Sequence, residues 1–449
     1  MLARRTVTAL RARLLRLPPD PIQLARNCHA SGLERVCLLH SAEAATVTPR
    51  VSYVAAAPDR ETAELDPFED DAPLATGALA GVPRWIGVIP YESRRSLERP
   101  AWRRVDQRAV PMLVHPQWLR FPAVLRVDAD TGEVLAVGES DAAIERLAAA
   151  AGRAAPRAEH ALIVATDADS PSLHLERVRR AVAFILEGHL YQVNVARKLD
   201  LSVEGRWLEA YAALAGRSPA AFGAALDLGQ VRVLSTSPEL LLLGPRAVGP
   251  SSNVAWLYTE PIKGTRPRGL DAPADLASAR ELDADPKERA ELAMILDVER
   301  SDLGAVAAFG SVRIVRPPEI VTHRTVHHRK ALIAAVLAPG VSRRELLERM
   351  VPSGSVTGAP KVRAMEVIAE LEAHRRGLYT GALGYGAHDG SFTLAMAIRT
   401  AVLAGEEGNY RGEYFTGGGI VADSDPECEL AETRWKALQV GVTPRGAAG

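Results

Sequence analysis

Four glutamates stand in two copies of one short pattern. Glu288 and Glu291 lie in PKERAELAMILD, and Glu429 and Glu432 lie in PECELAET. An i, i+3 spacing puts both carboxylates of each pair on one helix face. Two such helices facing each other make a hard oxygen cage suited to Mg²⁺, with positions left for a substrate carboxylate. The plainer reading is two solvated faces, with Arg289 and Arg434 close by in the chain. A third segment, TEPIKGTRPRG at 259–269, presents one amine, Lys263, from a loop tightened by proline and glycine. Only six of the 54 basic residues are lysine, at positions 198, 263, 287, 330, 361 and 436. Where arginine is the habitual cation, a lysine points to amine chemistry, and an amine attacks only when unprotonated. Arg266 and Arg268 leave a solvated basic turn as the alternative.

Two glycine-rich segments carry less. VPSGSVTGAPK (351–361) suggests a phosphate loop, but Ala359-Pro360 stand where that pattern needs Gly-Lys-Ser/Thr. It reads better as a small-residue loop feeding a helix that opens at Pro360, whose free N–H groups suit a carboxylate. GALGYG (381–386) lacks the order of a dinucleotide fingerprint.

The elements that must hold these groups can be outlined from periodicity. Apolar spacing predicts helices over 172–187, 286–300, 343–350, 360–375 and 426–439. Strand-like runs fall at 36–39, 51–55, 85–89, 124–127, 192–199, 231–235, 379–387, 392–403 and 414–421. Leu10, Leu14, Leu15 and Leu17 predict a first amphipathic helix stopped by Pro18-Pro19, with an arginine-rich transit peptide as the alternative. The Ala-, Arg- and Pro-rich stretch 148–161 reads as a surface connector. With no regular β-α-β alternation and no fixed-period repeat, the expected class is α+β, with antiparallel sheets packed together and surrounded by helices.

Composition sets the outer bounds. The 449 residues are 47% hydrophobic and carry 54 basic against 55 acidic groups, which is ordinary for a globular protein. A net charge of −1 offers no field to recruit nucleic acid or an anionic membrane. No apolar run is long enough to span a bilayer, and three scattered cysteines (Cys28, Cys37, Cys428) fit a reducing cytoplasm.

Taken in order, YQVNVARKL (191–199), STSPELLLL (235–243), PIKGTRPRG (261–269), KERAELAMILDVERSDLG (287–304), VTHRTV (321–326), PSGSVTGAPKVRAMEVIAELE (352–372), GALGYGAHDG through AIRT (381–400) and GGGIVADSDPECELAETRWKA (417–437) resemble the chorismate-utilising enzymes. That family includes anthranilate synthase component I, aminodeoxychorismate synthase component I, isochorismate synthase and salicylate synthase. VCLLHS (36–41) and WIGVIPYESRR (85–95) resemble the amino-terminal part of component I proteins more faintly. The resemblance implies an anthranilate synthase component I-like fold. It divides the chain into an amino-terminal region (1–150), a connector (151–171) and a chorismate-binding catalytic domain (172–440).

The resemblance also implies roles. Glu291 and Glu432 match the Mg²⁺ ligands, with Glu288 and Glu429 binding directly or through water. Gly264, Thr265 and Ser355 would line the ring and its carboxylate. Tyr385, Arg399, Gly419 and Lys436 would clamp the enolpyruvyl carboxylate, and His323 would sit against the ring. Glu239, in SPELL, matches the general acid for the departing C4 hydroxyl, which needs a raised pKa to keep its proton. Ser41 is a candidate contact for bound tryptophan. Isochorismate and salicylate synthases carry a lysine base where this chain has Gln192, which sets both aside. Anthranilate synthases usually read PIAGT where this chain reads PIKGT, and aminodeoxychorismate synthases carry the lysine as a covalent nucleophile. The implied activity is therefore amination of chorismate to 4-amino-4-deoxychorismate for folate synthesis, with anthranilate synthase component I as the alternative and a non-catalytic ligand-binding relative further behind. No glutaminase segment is recognisable, so ammonia is expected from a partner glutamine amidotransferase. Ser301, Ala305, Thr393 and an insertion at 244–253 depart from the family pattern.

Overall fold

A computed structural model describes residues 10–68, 79, 81–96, 106–156, 160–247 and 255–441. Most of the 244–253 insertion lies outside them. The described residues form two antiparallel sheets, of 12 and 10 strands, with helices packed on them. The α+β expectation holds.

Both sheets draw strands from both ends of the sequence. In the larger sheet Cys37–His40 pairs with Phe222–Asp227, and in the smaller Pro83–Ile89 pairs with Ala382–Ala387. Alternation along each strand explains how the sheets stack. Ile86 and Val88 enter a core shared with Leu39, Leu226 and Leu383, whereas Trp85 and Ile89 face the opposite core with Leu292 and Leu346. Cys37 and Leu39 likewise face the shared core, while Leu38 faces a third with Leu24, Leu147 and Trp207. Apolar residues on both faces of a strand require a layer on each side. The result is helix, sheet, sheet, helix.

Helix starts follow the sequence closely. Asp285 accepts from the N–H groups of Lys287 and Glu288 ahead of helix Pro286–Gly304, and Asp425 accepts from Cys428 N–H ahead of helix Pro426–Lys436. An Asp cap followed by proline is a strong start signal, worth about 1 kcal/mol for the cap alone. These two caps aim the helices that carry the four glutamates.

Three expectations fail locally. Residues 11–15 form a strand, Arg11–Leu15, paired with Val134–Gly138, and residues 1–9 lie outside the described set. Arg11 and Arg13 alternate onto one face, where they reach Asp141 and Glu145 of helix Asp141–Ala151, so the period is two. At the edges of the connector, 148–151 finish that helix and Leu162–Asp167 pairs with Gln192–Gly205. The run 392–403 is not one strand. Phe392–Met396 belongs to the smaller sheet and Thr400–Glu406 to the larger, and between them Arg399 has φ 51°. Left-handed backbone at a non-glycine residue is costly and marks a place the surroundings enforce. Here the chain changes sheets.

Candidate active site

The site is assembled where the two acid-bearing helices approach the strand Ile262–Pro267 and the carboxyl end of strand Gly408–Ile420. On the helices, Lys287 lies between the glutamate pairs, with Nζ 3.8 Å from Glu291 and 3.5 Å from Glu429. Arg266 reaches Glu288 at 3.3 Å, and Lys436 holds Glu432 at 2.5 Å. Burial followed by the neighbouring Glu432 raises the pKa of Glu429, and burial raises that of Glu291 with Glu288 and Glu432 adding to it. Burial acts the same way on Glu432, but Lys436 outweighs it and holds the carboxyl below its ordinary value. No three of the described acidic, histidine or cysteine groups stand close enough in this arrangement to grip an ion together. The donor chemistry nonetheless suits a hard cation. Glu429 is 2% exposed and its Oε2 has no hydrogen-bond partner among the described residues. Gly418 leaves the space beside it open, because a Cβ there would lie 2.8 Å from that oxygen.

Lys263 stands at the centre of the charge pattern. Its ammonium offsets, in part, the burial-raised pKa values of Glu239 and Glu291 and helps lower that of Glu432. Lys263 Nζ and Gln192 Nε2 both face Gly419, at 3.5 and 2.2 Å from where a Cβ would sit. A side chain at 419 would displace them. Gln192 is itself buried, with Oε1 unpartnered among the described residues. Gly264, at φ 74°, lets the chain turn beside Glu288, whose Oε2 would be 2.9 Å from a Cβ. Thr265 Oγ1 lies 3.0 Å from His328 Nδ1.

Histidine 328 was not anticipated from the sequence. It alternates onto the site side of strand Val326–Val336 and is 3% exposed. Burial, with Arg399 nearby, pushes its pKa down to about 3, so the ring is a neutral hydrogen-bonding group. His323 lies behind it, with ring centroids 5.6 Å apart and Nδ1 3.8 Å from Glu43.

Glu239 sits in the turn between strands Val231–Ser237 and Leu240–Ala247 and is 6% exposed. Burial pushes its pKa up to about 7, against the pull of Lys263. Ser355 Oγ donates to its Oε1 at 3.3 Å. Arg399 bears on Glu239 and His328, and burial lowers its own pKa. Among the described residues no carboxylate forms an ion pair with it; its guanidinium reaches only Ser218 Oγ, at 3.4 Å. A shielded arginine without an acid suits an incoming carboxylate, whose two oxygens match its planar fork. Lys436 also donates to Gly417 O at 2.9 Å, which places it beside the same strand.

One expected member is elsewhere. Tyr385 faces Tyr53, with ring centroids 5.7 Å apart, and lines a separate cleft between the sheets with Ser41, His40, Thr393 and Pro49. The tyrosine at the site is Tyr379, stacked on Phe415 and within electrostatic reach of Glu432. Five residues separate them: Tyr379 lies in the turn before a strand that begins only at Ala382, and Tyr385 lies on that strand. Sequence alone could not choose between them.

The chain is also similar to proteins of known family. The model of the chorismate binding enzyme family matches residues 30–440. Anthranilate synthase component 1 of Thermus thermophilus is 41% identical over 268 residues, covering 60% of this chain and 55% of that protein. A component 1 of Haloarcula marismortui is 35% identical over 386 residues, covering 81% and 74%. The aminodeoxychorismate synthase of Streptomyces griseus is 35% identical over 366 residues, covering 79% of this chain and 49% of that protein. The chain thus spans about half the length of several curated relatives it matches. Among solved structures, anthranilate synthase component I of Streptococcus pneumoniae superposes with a TM-score of 0.73 at 24% identity, covering 89% of this chain and 93% of that one. With the family match running through both sheets and both acid-bearing helices, the chain belongs to the chorismate-binding enzymes.

Proposed function

We propose that the chain is the chorismate-aminating component of an aminodeoxychorismate synthase, acting in the cytoplasm with ammonia from a partner glutamine amidotransferase. What carries the reading is the position of Lys263. Its amine lies beside Gln192 and Gly419 and acts electrostatically on Glu239, Glu291 and Glu432. In this reading Lys263 attacks as the free amine: its Nζ lone pair bonds to ring C2 while the C4–O bond breaks and Glu239 gives its proton to the departing oxygen, which leaves as water. Ammonia then bonds to C4 and the lysine leaves. A pKa near neutrality suits Glu239, because the acid must be protonated before the step and ionised after it. Arg399 holds a substrate carboxylate, and neutral His328 keeps Thr265 and the Gly264 turn in place. Glu291 and Glu432, with Glu288 and Glu429, would hold Mg²⁺, which supplies positive charge for the ring carboxylate.

Anthranilate synthase component I is the second reading, favoured by the 41% identity to the Thermus thermophilus protein. Product analysis separates the two. Purified chain with chorismate, Mg²⁺ and an ammonium salt is expected to yield 4-amino-4-deoxychorismate, and fluorescent anthranilate as the main product would overturn the first reading. Lys263→Ala is expected to lose most turnover, and a substrate-sized mass should appear on the Lys263 peptide when ammonia is withheld. Wild-type rate and product in that variant, with no adduct, would make the lysine a bystander.

A further inference from the structure

Glu299 lies two turns beyond Glu291 on helix Pro286–Gly304, in the stretch DVERSD. Those residues read as a charged surface, yet Glu299 is 1% exposed. It carries no ion pair among the described residues. Its Oε1 accepts from Ser353 Oγ, and its Oε2 lies 3.4 Å from Thr259 Oγ1. The Ser353 and Ser355 hydroxyls are 2.9 Å apart, and Ser355 Oγ reaches Glu239 Oε1 at 3.3 Å. A continuous line of oxygens therefore joins one buried carboxyl to the other.

Counting hydrogens along that line gives its state. Three links connect the four groups: Glu299 to Ser353, Ser353 to Ser355, and Ser355 to Glu239. The two hydroxyls bring only two hydrogens, since each has one O–H to donate. If both carboxyls were ionised, one link would face two lone pairs at each other inside a dry site, which is costly. A proton on either carboxyl completes the line. The loop is held for this geometry: Ser355 N–H donates to Ser353 Oγ at 3.0 Å, and Thr357 Oγ1 donates to Ser353 O at 2.8 Å.

We infer that Glu239 and Glu299 hold one proton between them through Ser353 and Ser355, and that Glu299 is a positioning residue that delivers that proton to Glu239 before each turnover. The inference rests on the reading of Glu239 as the general acid. Before Glu239 protonates the departing oxygen, Glu299 O–H passes its proton to Ser353 Oγ. Ser353 passes its own to Ser355, and Ser355 passes its own to Glu239. Three O–H bonds break and three form. The entering ammonia becomes an ammonium once bonded to C4, and the proton it sheds reloads the pair. Burial acts first on both acids, and each rises to about 7. The other groups bearing on Glu299 are Asp302, which raises it, and Lys361, which lowers it; those two pair with each other at 2.6 Å. Lys263, Lys436 and Arg399 bear on Glu239 from the opposite side.

The experiment is the ratio of variant to wild-type kcat across pH, with chorismate, Mg²⁺ and ammonium salt. Taking the ratio cancels the pH dependence of free ammonia. Glu299→Gln and Ser353→Ala are both expected to lose activity selectively on the alkaline side of neutrality, by about tenfold for a one-unit fall in the acid's pKa. The KM for chorismate should be unchanged. Ser353→Ala is the sharper variant, because it leaves the Glu299 carboxyl in place and removes only the connection. A ratio independent of pH in Ser353→Ala overturns the relay, as does an unchanged kcat in both variants. Glu239→Gln keeps the two failures distinct. Full turnover in that variant overturns the general-acid reading itself, whereas its inactivity alongside a flat Ser353→Ala ratio overturns only the relay.

Discussion

Each glutamate of the four-carboxylate cluster has an ammonium or guanidinium against it, whereas Glu239 and Glu299 meet only hydroxyls and backbone amides. Both sets lie in one site, and both contain acids raised by burial. The difference is in what relieves them. Lys287 is 49% exposed and Glu432 46%, so the cluster meets water along one side, although Glu429 within it is 2% exposed. Glu239 and Glu299 are 6% and 1% exposed and, among the described residues, have no cation in ion-pair contact, so a proton is what relieves them. One scaffold therefore keeps a charged cage and a dry acid apart, by solvent access and by which donors face each carboxyl.

The largest effect should come from breaking the charged set. Glu291→Gln and Glu432→Gln each remove a charge from the cage while keeping its size. Turnover is expected to fall below detection, and chorismate binding should weaken because a less charged cage holds the divalent ion poorly. Wild-type activity should vanish in chelator and return with Mg²⁺. Full activity in excess chelator would reduce the four glutamates to a solvated face.

The dry set is tested by Glu239→Gln. Loss of a general acid lowers kcat by roughly a hundred- to ten-thousandfold. Stability gives a second reading with a definite sign. The folded carboxyl titrates at about 7 against an unfolded value of 4.5, so the folded state binds the proton more tightly. Its stabilising contribution is complete below the unfolded value and is lost as pH rises through the folded one. Glu239→Gln, which cannot ionise, should gain stability relative to wild type across that window, on the order of 1–3 kcal/mol by denaturant titration. No relative gain would mean that Glu239 is not held protonated. The charged set, relieved by cations, should show no such window when Glu432 is replaced.

The two sets differ equally in how far the sequence discloses them. The cage could be read because Asp-Pro caps fix both helix starts and i, i+3 spacing then fixes the face, all within a dozen residues. Lys263 stood out by residue type alone. Glu299 could not be read: its neighbours Glu299-Arg300-Ser301-Asp302 are uniformly polar, and its burial depends on strand Ala255–Glu260 and the 353–355 loop. Arg399 was legible as a residue but not as a break, since apolar alternation runs unbroken from 392 to 403. Tyr379 lies in a turn and Tyr385 on the strand that follows it, whose facing is decided by pairing with Pro83–Ile89 nearly 300 residues away. Local signals were visible; those set by long-range pairing were not.

The smallest effect should come from Lys287, and its sign is informative. Its ammonium lies between Glu291 and Glu429 and so competes with a divalent ion for the same oxygens. The carboxylates in turn raise the lysine's pKa against the opposing effect of burial, so the competitor is charged throughout the working range. Were Lys287 a structural strut, Lys287→Ala would splay the helices and weaken Mg²⁺ activation. Were it a placeholder, the same change would remove a like charge and lower the Mg²⁺ concentration giving half-maximal activity. Its half-exposed position limits the gain, since solvent-exposed pairs contribute about 0–1 kcal/mol, or up to roughly fivefold. We expect the second outcome, with kcat at saturating Mg²⁺ unchanged. Raised ionic strength should shrink the difference between variant and wild type, because the competition is screened at an open site. A change of the same size in Ser353→Ala would erase the distinction, for it would mean that the two sets titrate as one.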